Sequence, residues 1–222
     1  MNSTTRLMLV ALAAALLSAG CFSGAYALAT SNDSGNHDII TREIPWDDST
    51  SLTVGVRSVV RYVQAPGAGS VVASGPHRSV STLVVGNGDI RDQLLHTGAT
   101  LELIVTAPAI SRFYLNGNSR LSIEGYDQKN LFVSTEGKAA VDAAGRVNDV
   151  AVEMKGSGTV NLARLAAENA TASIGGMSTL VVAPSIDANL NVRNFASVVL
   201  VSRPQVLKKS LVDSGRIVEA AE

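Results

Sequence analysis

From Ser111 onward the chain can be written as five rows of nearly equal length: SRFYLNGNSRLSIEGYDQKN, LFVSTEGKAAVDAAGRVND, VAVEMKGSGTVNLARLAAEN, ATASIGGMSTLVVAPSIDAN and LNVRNFASVVLVSRPQVLKK. The rows begin at residues 111, 131, 150, 170 and 190, a period of 20, 19, 20 and 20. Few residues are identical from row to row, yet the spacing persists. A unit of about 20 residues is too short to bury an apolar face alone, so it must stack on others like itself.

The columns carry the physical content. The seventh position holds Gly117, Gly137, Gly156, Gly176 and then Ala196, where a bend needs a small residue or a positive φ. The eleventh holds Leu121, Val141, Val160, Leu180 and Leu200, a continuous aliphatic stack. Apolar residues at positions one and three, and again at eleven and thirteen, alternate with polar ones such as Glu153, Lys155, Asn161 and Arg193. That period of two belongs to strands with one buried face. The last position holds Asn130, Asp149, Asn169, Asn189 and Lys209. This column reads either as a polar ladder bonding along a stack or as residues chosen for turn geometry.

These columns predict an all-β fold, a single-stranded parallel β-helix or β-solenoid with coils of about 20 residues. Five coils at about 4.8 Å per layer give a rod roughly 24 Å long. The segment LARLAAEN, residues 162–169, is rich in helix formers, but its place in the repeat argues for strand. Before Ser111 the repeat weakens. STSLTVGVRSVVRYVQA, STLVVGNGDI and ATLELIVTAP still read as strands, so residues 39–110 are expected to form irregular first coils and a cap, with repeat coils over 111–209. The tail SLVDSGRIVEAAE reads as a closing half-coil, with Lys208, Lys209, Asp213 and Arg216 guarding the open edge.

The N-terminus has a different character. Arg6 precedes the apolar run LMLVALAAALL, which is followed by small residues, the pattern of a secretory signal peptide over residues 1–27. Two processing sites compete. LSAGC resembles a lipobox that would make Cys21 a lipidated first residue, although the family's leucine three before the cysteine is Ser18 here. AYA, ending at Ala27, is an A-x-A site that would leave Leu28 as the new terminus. Residues 28–38, polar and rich in Ser, Asn and Gly, read as a linker, and residues 218–222 as a tail.

The turn glycines followed by aliphatic strands in LNGNSRLSIEG, MKGSGTVNL and IGGMSTLVV, preceded by LELIVTAP and ended by KKSLVDSGRI, resemble the GIN domain family, also described as the putative auto-transporter adhesin head domain, DUF2807. The resemblance covers residues 39–217, with degenerate turns at TEGKAAV and NFASVVL. It implies an exported β-helical domain of bacterial envelopes, located in the periplasm, outer membrane or at the cell surface. It transfers no catalytic residues.

Chemistry is sparse elsewhere. A formal net charge of -1 with no basic run beyond Lys208-Lys209 gives no footprint for nucleic acid. Aromatic content of 4% leaves few rings for stacking on bases or sugars. His37, His77 and His96 lack metal-ligand spacing and read as solvated loop residues. VVGNGDI is a hairpin turn rather than a phosphate cradle. The carboxylates Asp142, Asp149, Glu153, Glu168 and Asp187 scatter over different columns instead of converging as a hydrolase or lyase requires. Trp46, the only Trp, reads as a residue that closes the core, with sugar stacking as the alternative.

The expectation is therefore a non-enzymatic, adhesin-like binding or structural domain with no catalytic, metal or cofactor residues. Its expected partner is a cell-surface polysaccharide or an envelope protein, and it meets a membrane only through a lipid on Cys21. The alternative is a polysaccharide-acting β-helix enzyme, and a third reading is a self-associating structural lipoprotein.

Overall fold

The computed structural model describes residues 27–28, 38–94 and 99–219. The signal segment, Cys21, His37 and His96 lie outside them, as do nearly all of the linker and the end of the tail. The chain forms strands β1 (Ala27–Leu28), β2 (Ile39–Pro45), β3 (Ser51–Val54), β4 (Ser58–Gln64) and β5 (Ser70–Pro76), then one short helix α1 (His77–Ser81). There follow β6 (Leu83–Gly86), β7 (Asp89–Asp92), β8 (Leu101–Ala107) and β9 (Arg112–Gly117). The long bent strands are β10 (Arg120–Gly137), β11 (Ala140–Gly156), β12 (Thr159–Ile174) and β13 (Thr179–Val192). The chain closes with β14 (Ser197–Leu200), β15 (Val206–Leu211) and β16 (Arg216–Glu219).

The long strands stack parallel and in register, β10 on β11, β11 on β12 and β12 on β13, which makes the solenoid. Side chains alternate between core and solvent along each coil, so each layer adds apolar residues to one continuous core. Each fully buried Val or Leu contributes about 1.5–3 kcal/mol. The helix-forming segment at 162–169 lies inside β12, because only an extended backbone keeps the ladder paired on both sides.

Each coil turns one corner with a residue at positive φ. Gly117, Gly137, Gly156 and Gly176 occupy it, with φ between +76° and +110°. A Cβ at Gly156 would meet the Gly137 carbonyl oxygen at 2.5 Å, so the stacked backbones themselves exclude a side chain. In the next two coils the corner is taken by Asn194 and Asp213, with φ of 59° and 58°. Asn and Asp are the non-glycine residues that best tolerate this conformation. Ala196, expected at this corner, lies two residues further on and is fully buried.

That displacement corrects the last row. Ala170 pairs with Ala188, so the fourth coil is 18 residues long and the fifth begins at 188, not 190. The shortening falls at one bend: Leu162 pairs with Val182 and Ala167 with Pro184, so the chain spends two residues where the layer below spends five, and regains one by Asn169 and Asp187. Leu121, Val141, Val160 and Leu180 are successive register partners, but Leu180 is followed by Val198, while Leu200 sits on Val182. Leu200 is still buried, one pair of positions along the same strand. The polar column likewise runs Asn130, Asp149, Asn169 and Asp187 before reaching Val206; Asn189 and Lys209 belong to other columns.

The N-terminal part does not stack in sequence order. β3 pairs with β7 on one side and β9 on the other, and β4 lies between β8 and β10. The layer made by residues 51–64 is therefore sandwiched between one made by 89–107 and one that begins at 112. The chain lays down a second layer on the outer side of the first, then crosses back over it through residues 108–111. Tyr62 holds this crossover: its Oη donates to the Ala107 carbonyl at 3.0 Å and accepts from the Ile110 amide at 3.2 Å. Gln128 Nε2 donates to the Ile110 carbonyl at 3.1 Å. Beyond this layer β5 and β2 pair antiparallel, and Trp46, Val80 and Leu83 are buried under them, closing that end. Asn87 and Gly88, both at positive φ, join β6 to β7 as a two-residue hairpin turn.

Candidate binding surface

Because the repeat residues Leu121, Val141, Val160, Leu180 and Leu200 face the core, and the corner glycines carry no side chain, any contact chemistry belongs to the outward positions of the coils. His77 is exposed at the start of α1, a helix rather than a loop. Trp46 is buried, with its Nε1 donating to the Ser49 carbonyl at 3.0 Å. Among the described residues no three His, Cys, Asp or Glu side chains group as metal ligands.

The carboxylates stand apart from one another, and two of them are hydrogen-bonded. Asp142 accepts from Arg164 at 2.6 Å and from Asn161 at 3.1 Å, which raises the guanidinium pKa of Arg164 through that hydrogen bond first. Asp149 accepts from Asn169 Nδ2 at 2.8 Å. Asp149 and Asp187 share a column but are separated by the Asn169 layer, and the column neighbours of Asp142 and Glu153 are uncharged. Glu168 lines a separate groove of about 320 Å³ beside Asp127 and Arg146, where those two form an ion pair at 3.1 Å.

A different groove, of about 410 Å³, offers recognition chemistry. It is lined by Ser111, Arg112, Tyr114, Asn130, Phe132 and Asp149, together with Leu131 and Ala151. Tyr114 stands on β9 between buried Phe113 and Leu115, and Phe132 on β10 between buried Leu131 and Val133, so alternation turns both rings outward. Their centroids are 5.5 Å apart with planes at 51°. Arg112 is the register partner of Phe132, and Asn130 that of Asp149. The groove thus joins two half-exposed aromatic faces to a guanidinium, an amide and a carboxylate.

Two of the few rings expected to be available for stacking are thus brought together. The buried rings Trp46, Tyr62, Phe113 and Tyr126 all lie before the second repeat row, while Tyr114 and Phe132 stand half-exposed at outward positions. The sequence signal was present in the alternation: both rings fall between core residues, at positions four and two of their rows. Their convergence needed the register, which sets residue 132 one layer above residue 112.

A family model described as the putative auto-transporter adhesin head GIN domain, DUF2807, matches residues 91–204. No curated protein matches the chain. Among solved structures, a putative adhesin from Bacteroides fragilis is similar, with TM-score 0.66 at 17% identity over 82% of this chain and 97% of the other. A putative adhesin from Parabacteroides merdae has TM-score 0.53 at 12% identity, over 82% and 96% of the two chains. A putative lipid binding protein from Parabacteroides distasonis has TM-score 0.52 at 15% identity, over 84% and 98%. At such identities the likeness shows the fold alone.

Proposed function

We propose, since the chain belongs to the DUF2807 family of putative auto-transporter adhesin head GIN domains, that it is a non-enzymatic, exported, adhesin-like domain that binds a polysaccharide of the cell surface along the Tyr114–Phe132 groove. The observation that carries this reading is the pair of outward-facing rings beside Arg112, Asn130 and Asp149. Aromatic faces suit the apolar face of a sugar ring, and the flanking amide, carboxylate and guanidinium suit its hydroxyls. A stiff solenoid presents such groups at fixed spacing, which favours an extended polymer over a compact ligand.

Export follows in this reading from residues 1–27 as a signal peptide, with residues 28–38 as the linker to the domain. The mass and first residue of the mature protein decide whether Cys21 carries lipid or Leu28 is the terminus. A role as a polysaccharide-cleaving enzyme is disfavoured by the carboxylate placement described above.

The binding test is electrophoretic retardation in gels containing bacterial surface polysaccharides. The expected result is retardation by at least one polymer, weakened at least tenfold in Tyr114→Ala and Phe132→Ala and retained in Phe195→Ala, whose ring is exposed elsewhere. Equal retardation of all three variants, or none of the parent chain by any polymer, overturns the proposal. Release of shorter products from the retarding polymer would favour the enzymatic reading instead.

A further inference from the structure

The two ends of the solenoid are finished differently. At the N-terminal end antiparallel β2 and β5 cover the last parallel layer, and Trp46, Val80 and Leu83 are buried there. At the C-terminal end β15 pairs only with β13 and β16 only with β14, so among the described residues the outer edges of both strands have no partner. Exposed large apolar residues gather here: Val206, Leu211, Val212 and Val218 are all more than 40% exposed. Leu211 is the register partner of fully buried Val192, so it stands at a core-facing position with no layer over it.

Two other core-facing positions of this final layer are charged. Lys209 sits over buried Leu190 and Glu219 over buried Leu200. The two side chains meet across the end, Nζ to Oε1, at 3.8 Å. One positive and one negative group facing outward from the same end form a self-complementary set. A two-fold axis midway between them brings Lys209 of one copy onto Glu219 of a second, and β15 of one onto β16 of the other.

We propose that the open C-terminal end is the interface of a two-fold, end-to-end dimer of this chain. Leu211 is covered by the second copy, and the ladder edges of β15 and β16 gain partners. The four charges Lys209, Glu219 and their copies close into a ring of alternating sign. The association stops at two chains because an isologous contact uses the same end of both copies. The interface is independent of the Tyr114–Phe132 groove, which lies several layers away and appears twice in the dimer.

The test is sedimentation velocity of the chain purified after export, over a hundredfold range of concentration, with circular dichroism melts of each variant to show that it is folded. The expected result is a species of two chains and none larger. Glu219→Lys sets lysines against lysines and weakens dimerisation at least tenfold, while Lys209→Glu combined with Glu219→Lys regenerates alternating charge and restores it. A monomer at every concentration, open-ended growth, or a folded Glu219→Lys variant that dimerises like the parent overturns the proposal. So does a stable complex in which a different protein from the same cell envelope occupies this end and the chain alone stays monomeric.

Discussion

Residues 112–200 and residues 39–111 both build parallel layers, yet only the earlier region adds antiparallel pairs, and the two solve the backbone problem differently. In the later coils each layer follows the one before it in sequence, so every ladder group finds its partner in the next turn of the chain. Beyond Tyr126 the buried apolar residues there are Leu, Val, Ile, Ala and Met with no ring among them, beside a few small buried hydroxyls such as Thr135 and Ser178. In the earlier region the chain jumps a layer, and the crossover leaves Ile110 outside the ladder that ends at Ala107. Side chains take over at Ile110: the Tyr62 hydroxyl accepts from its amide and Gln128 donates to its carbonyl, while Tyr62 also donates to the Ala107 carbonyl and packs edge-on against Phe113 at 5.2 Å. Sequential stacking needs no polar core, whereas out-of-order stacking needs one that is fully paired.

The largest effect expected from breaking this comparison lies in the regular coils. Val160→Asp places an uncompensated carboxylate in the fully buried stack between Val141 and Leu180. With about 4 kcal/mol or more at stake, the cooperative melt followed by circular dichroism should disappear. A melt unchanged within error would mean that the coils do not share one core.

The crossover should respond more mildly and with a pH signature. Tyr62→Phe leaves the buried Ile110 amide without its partner, while the Ala107 carbonyl keeps the Ala65 amide, a cost of about 1–3 kcal/mol read as a lowered denaturation midpoint. Burial raises the pKa of Tyr62 against the opposing hydrogen bonds from Ile110 and Gln128, and burial also raises that of Tyr126. An unfolded tyrosine ionises near 10 while these remain neutral, so the unfolded state holds fewer protons above that pH. The resulting stability is fully present below pH 10 and declines as the pH rises through the folded values. Tyr62→Phe should flatten part of that alkaline decline in a series of melts, whereas a variant confined to the later coils should leave its slope intact.

The smallest effect has the opposite sign. Thr135 lies in the stack between Leu115 and Met154, and its Oγ1 is buried without a hydrogen-bond partner. If the later core has no use for polar groups, Thr135→Val should stabilise the chain by about 1 kcal/mol, measured as a higher midpoint in denaturant. A loss of stability would show that the hydroxyl is bonded in solution and that the two regions differ less than their geometry indicates.

Much of this contrast was legible in the residues. The period and the alternation determined the solenoid, the buried face and the glycine corners, because in-register parallel strands repeat the same constraint at each layer. The same logic carried as far as Leu180 and failed at Leu200, since a bend shortened by two residues is invisible when turn residues such as Pro184, Ser185 and Asp187 suit either length. Nor did the columns show that Asn194 replaces glycine, for the substitution is read only once the register places it at the corner. The groove residues were outward-facing by their parity alone, yet which of them meet is a property of the stack. Most of all, the order of the first layers was decided by tertiary structure. A strand's sequence states which face is buried, but not which of several equivalent strands will lie against it; that choice fell to the crossover and to the few long-range hydrogen bonds that satisfy it.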